Sequence, residues 1–146
     1  MRIYLDVCCL CRPFDLQIND EIRLEREAIL ILLSRVEHQL LTLVKSETIE
    51  FEVSQIENDE KKFNVMIALT LAGDEIIIDE KITARAGYFE SQGIKSFDAL
   101  HLACAEKGSD VLFTVDKKFL NATKYIKDLK ITVTNPVEFL LKEMTL

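Results

Sequence analysis

Apolar residues along this chain fall into two kinds of run. Short continuous runs lie at residues 2–7 (RIYLDV), 40–45 (LLTLVK), 75–78 (EIII), 111–115 (VLFTV) and 131–134 (ITVT). Their length and their β-branched and aromatic content predict strands buried on both faces. Between them lie longer stretches with helical periodicity and recognisable ends. A helix over 20–38 is predicted from Asn19 as cap, with Asp20 and Glu21 complementing its positive end. Ser46 caps a helix reaching about Ile56, and Asp59 starts another that ends near Ala72-Gly73. Residues 80–92 read as a helix closed by Gly93, and Ser96 caps one that runs to Lys107 with Gly108 as terminator. Asp116 opens a short helix, and Asn135-Pro136 stand in the cap and first-turn positions of the last one. A turn is expected at Arg12-Pro13-Phe14-Asp15, with no helix starting directly after Asp6. Strands alternating with helices predict an α/β fold, a three-layer α/β/α arrangement on a central, mostly parallel sheet, in one domain over residues 1–146.

Composition adjusts this picture in three ways. With 49% apolar residues in 146, and only four Gly and two Pro, the chain can bury a proper core and leaves little room for disorder. A net charge of −7 argues against a diffuse basic surface for nucleic acid and suits carboxylates gathered to hold cations. Cys8, Cys9, Cys11 and Cys104 do not follow zinc-ligand spacing, so they read as buried or half-buried thiols of a reducing, cytoplasmic compartment. The apolar block Ala28–Leu33 is too short to span a bilayer, so no membrane association is expected. Being apolar on every side, it implies either deep burial or a homodimer interface.

The candidate chemistry is carried by acids. In an open parallel sheet, ligands collect at the carboxyl ends of the strands. Asp6 ends the first predicted strand and Asp116 follows VLFTV, so both should open onto that edge. Asp98 sits in the first turn of a helix, with Phe97, Leu102 and Ala105 as its expected angular neighbours, an unusual setting for a solvated acid. Asp98 and Asp116 each have a purely structural explanation as dipole complement and cap, but Asp is depleted in strands and Asp6 has no such excuse. A fourth acid is expected from SETIEFEVSQI. Glu52 lies about 65° from the centre of its buried stripe, Glu50 about 90° on the other side, and Glu47 faces away. Glu52 is therefore the first candidate and Glu50 the second. Carboxylates without a His or Cys ligand set suit Mg²⁺ or Mn²⁺, and metal-assisted phosphodiester hydrolysis is the natural chemistry. The chain has no GxxxxGK[ST] or GxGxxG loop for nucleotide phosphoryl transfer.

Four pieces of the sequence together resemble a PIN-domain ribonuclease of the VapC toxin kind. They are the opening strand with Asp6, the stretch Ser46 to Glu52, the Asp-Ala-Leu-His-Leu-Ala block at Asp98, and the Thr-x-Asp turn at Thr114 and Asp116. The resemblance covers nearly the whole chain. It implies that Asp6, Glu52, Asp98 and Asp116 hold a divalent metal (Mg²⁺ or Mn²⁺), with Thr114 orienting an acid or a bound water. It also implies an RNA substrate and an antitoxin partner whose basic side chain enters the acidic groove. Where the family usually has Ser or Thr after the first aspartate, this chain has Val7, and Cys8 is the nearest stand-in. His101, on a mostly apolar helix, reads as a packed, hydrogen-bonded side chain. Arg12 is the best-placed phosphate contact, and Lys117, Lys118, Lys124, Lys127 and Lys130 form a basic cluster that either steers RNA or is a solvated face. The competing expectation is a catalytically silent PIN-like module that binds RNA or a protein.

Overall fold

The computed structural model describes residues 1–144. Five parallel strands form one sheet: β1 (Arg2–Leu5), β2 (Thr42–Ser46), β3 (Asp74–Ile76), β4 (Val111–Phe113) and β5 (Thr132–Thr134), in the order β3-β2-β1-β4-β5. β1 is central, and its Ile3, Tyr4 and Leu5 are all fully buried, as a strand covered on both faces requires. It pairs with β2 through Ile3 and Leu43, and with β4 through Ile3 and Val111. Each crossover carries helices: α1 (Val7–Cys11), α2 (Asp20–Glu37), α3 (Glu47–Ser54), α4 (Asp59–Leu69), α5 (Glu80–Ser91), α6 (Ser96–Gly108), α7 (Lys117–Thr123) and, after β5, α8 (Pro136–Met144). The expected three-layer α/β/α architecture is present, and its sheet is wholly parallel.

Capping chemistry sets most boundaries as expected. Asn19, Ser46 and Asp79 each accept a hydrogen bond from the amide three residues on. Asn135 caps the last helix through Val137 N at 2.8 Å. Gly93 closes the loop after α5 at φ 98°, a left-handed conformation that side chains resist. Gly108 matters for a different reason: a Cβ there would meet the end of the Ile76 side chain, which would have to shift where α6 ends against the sheet.

Several expectations are corrected. The first strand stops at Leu5, and Asp6 begins the five-residue helix α1, capping it through Val7 N at 2.8 Å. The continuous apolar run VCCLC concealed this turn. Lys95, not Ser96, stands at the cap position of α6, and the Ser96 hydroxyl donates to Glu90 instead. The strands at 75–78 and 111–115 are shorter than their apolar runs. The Ala28–Leu33 block is not buried all round: Ala28, Ile29 and Leu32 pack inward, while Leu30 and Ile31 are exposed together with Leu24.

Candidate active site

The strand order reverses at β1, which runs on to β2 and β3 on one side while β4 and β5 lie on the other. Such a switch point opens a crevice at the carboxyl ends of the two strands that flank it. The backbone fills its floor in a specific way. Asp6 N donates to Phe113 O at 3.0 Å, extending the β1–β4 ladder by one step and setting Asp6 beside Thr114.

Asp6 is buried and its two oxygens have separate tasks. Oδ1 caps α1, while Oδ2 accepts from the fully buried Thr114 hydroxyl at 3.1 Å. Thr114 Oγ1 in turn accepts from Asp116 N at 3.1 Å, so one hydroxyl holds Asp6 and the Asp116 backbone in register. Cys8 Sγ lies 3.3 Å from Asp6 Oδ2 and 3.5 Å from Thr114 Oγ1, in the place where the residue after the first aspartate contributes no hydroxyl. Asp116 caps α7 with Oδ1 alone, which accepts from Lys118 N and Phe119 N.

Glu52 is oriented from beneath. His101, fully buried on α6, has Nε2 at 2.7 Å from Glu52 Oε1 and 3.9 Å from Asp6 Oδ1. Its Nδ1 is 2.7 Å from the Tyr4 hydroxyl, which is 2.7 Å from Ser46 Oγ. One consistent direction of donation runs from the Ser46 hydroxyl to Tyr4 and on to Nδ1, with Nε2–H donating to Glu52. Burial pushes the Tyr4 hydroxyl well above its ordinary pKa, keeping it a donor. Glu50, the second candidate, instead pairs with Lys45 at 2.6 Å on the outer flank of α3.

Asp98 completes the group. Its pKa is raised from 3.8 to about 6, first by burial and then by the charges of Asp6 and Asp116, with Glu52 adding a little and His101 opposing. Carboxylates from β1–α1, α3 and β4–α7 therefore act on Asp98 of α6. Among the described residues, no group of three or more His, Cys, Asp or Glu side chains is placed to hold a metal ion as it stands. The donor set is nevertheless all oxygen and short of positive charge, which fits a hard cation.

The remaining sequence candidates separate. Arg12 does not face the crevice as a free phosphate contact. It pairs with Asp15 at 3.2 Å and with buried Glu25 at 3.1 Å, because Glu25 needs a counter-charge inside the fold. Of the lysine cluster, Lys117 pairs with Glu21 at 3.1 Å, and Lys118 borders a recess of ≈ 110 Å³ that Asp98 also lines. Sequence reasoning missed Tyr4 and Ser46 as supports of His101. Their one signal was a hydroxyl-bearing residue on each of two adjacent strands that are otherwise apolar at their buried positions.

The chain belongs to the PIN domain family, whose family model matches residues 3–125. None of the curated proteins compared with it matches. Among solved structures it is similar to FitAcB from Neisseria gonorrhoeae, at 24% identity and TM-score 0.60, over 92% of this chain and 97% of that one. It is also similar to VapBC2 from Rickettsia felis bound to a DNA fragment from their promoter, at 16% identity and TM-score 0.59, over 92% of this chain and 98% of that one. At these identities the likeness speaks to the fold. Among the described residues no helix is long and apolar enough to cross a membrane.

Proposed function

We propose that this chain is a metal-dependent endoribonuclease that hydrolyses RNA phosphodiester bonds and is the toxin of a type II toxin–antitoxin pair. The observation that carries the reading is the gathering of acids from four parts of the chain at the β1/β4 switch point, where burial first, and then the charges of Asp6, Asp116 and Glu52, lift Asp98 to about 6. Asp6, Glu52, Asp98 and Asp116 would hold Mg²⁺ or Mn²⁺. Bound there, the cation would activate water and neutralise charge building on the phosphodiester. Thr114 keeps Asp6 and Asp116 in register, and His101 fixes the direction in which Glu52 points. The acidic crevice and the net charge of −7 suit an antitoxin tail bearing Arg or Lys, and the likeness to FitAcB and VapBC2 supports a partner of that kind.

A catalytically silent module that binds RNA or a protein is the second reading, favoured by Val7 in place of a hydroxyl and by the lack, among the described residues, of a side-chain group placed to hold a metal ion as it stands. RNA cleavage with added Mn²⁺ separates the two. We expect cutting by the wild type and loss of cutting in Asp6→Asn and Glu52→Gln. Cutting that survives both changes would overturn the site. Folded wild-type protein that cuts none of a varied set of RNAs would leave the binding module.

A further inference from the structure

Phe51 and Phe97 stand out because they are large aromatic side chains left in water, 53% and 47% exposed. They come from different helices, α3 and α6, yet their rings stack with centroids 5.9 Å apart and planes 7° from parallel. Each immediately precedes a crevice acid in sequence, Glu52 and Asp98. The pair thus joins the two helices that carry Glu52 and Asp98. Nothing in the core accounts for it, since neither ring belongs to the buried cluster.

We propose that the Phe51–Phe97 stack is a platform for an unpaired nucleobase of a single-stranded RNA, seating the nucleotide next to the scissile phosphate. The proposal rests on the ribonuclease reading of the crevice and adds a base subsite to it. Two parallel rings extend naturally into a third, because every base offers a π-face regardless of its identity. Charge favours the same occupant. Exposed Lys95 and Lys118 line the recess that Asp98 borders, offering cations to the backbone of a strand whose base rests on the rings. A platform without hydrogen-bond donors or acceptors favours stacking over base identity, and it excludes a duplex, whose bases are already stacked on one another.

The test uses the full chain and a short single-stranded oligoadenylate carrying one fluorescent adenine analogue whose emission falls on stacking, with Ca²⁺ in place of Mn²⁺. The wild type should quench the analogue and bind the intact oligomer better than one with an abasic site at that position. In the Phe51→Leu/Phe97→Leu variant the quench should disappear and affinity fall by about tenfold or more, the scale of base–aromatic stacking. Phe97→Trp should restore both, because it returns a π-face that leucine lacks. With Mn²⁺ and an unlabelled strand, the leucine variant should show a raised KM, and its Mn²⁺ affinity should hold because neither ring is a ligand. Unchanged quenching and affinity in the leucine variant would overturn the platform, and this is also the result expected if the rings dock a protein, which leucines satisfy. Quenching that depends on the rings without any RNA cutting by the wild type would keep the platform and remove the ribonuclease. Cutting with unchanged KM in the leucine variant would do the reverse.

Discussion

Replacing Asp98 with asparagine should stabilise the metal-free protein while removing its metal response. The Asp98 carboxyl titrates at about 6 instead of 3.8 because burial, Asp6 and Asp116 all disfavour its charge. At ~1.4 kcal/mol per unit, a shift of roughly two units would be worth about 3 kcal/mol for a dry group. Asp98 is only half-buried, so solvent screening brings this to about 1–2 kcal/mol. A first-turn carboxylate also helps the helix by about 0.3–1 kcal/mol, which asparagine forfeits. The net gain for Asp98→Asn near neutral pH is about 1 kcal/mol, a rise in Tm of about 2–4 °C for a chain of this size.

The sign with pH follows from the raised value. The native state holds this proton more tightly than the unfolded chain, so the wild type loses stability as pH rises from about 4 to about 6. The asparagine variant should therefore match or trail the wild type below pH about 4 and lead it above pH about 6. Mn²⁺ should then raise the wild-type Tm, because the cation binds only the native state, and should leave the variant nearly unmoved. Circular-dichroism melts in EDTA and in Mn²⁺ at the two pH values provide the measurement. An Asp98→Asn protein that melts lower than the wild type in EDTA above pH about 6 would refute the reasoning.

The other predictions are simpler. Tyr4→Phe leaves His101 Nδ1 and Ser46 Oγ without their buried partner, so urea unfolding should report a loss of about 1–3 kcal/mol. Gly108→Ala should cost about 1–3 kcal/mol by the same assay, since the new methyl overlaps the Ile76 side chain. Glu50→Gln, which removes one surface ion pair with Lys45, should change stability by less than about 1 kcal/mol and keep cleavage, whereas Glu52→Gln should lose it. Equal cleavage by those two variants would mean that the helix-wheel choice between the acids was unsound.

The sheet was legible because its strands are short apolar runs with no polar alternation, which fits only strands covered on both faces. Helix starts were legible at caps such as Asn19 and Ser46. They were hidden at Val7, where an apolar pentapeptide continues straight out of a strand, and at Lys95, which occupies a cap position without a side-chain bond. The acids posed a choice between cap and site, and in the structure capping leaves an oxygen of each capping acid for other partners. Asp6 and Asp116 both cap through Oδ1, and Asp6 bonds to Thr114 through its other oxygen. The inward turn of Glu52 could be read by angle alone, because α3 is regular. The support beneath it could not, because a tyrosine in a buried strand and a histidine on an apolar helix show no sign in sequence of being partners 97 residues apart.

The central claim is that Asp6, Glu52, Asp98 and Asp116 form one cation site. Titration of Mn²⁺ into metal-free protein, followed by the electron paramagnetic resonance of the free ion, tests this directly. The account predicts saturable binding by the wild type that is lost or weakened by tenfold or more, about 1.4 kcal/mol, in each of Asp6→Asn, Asp98→Asn and Asp116→Asn. Wild-type affinity in all three folded variants would contradict it.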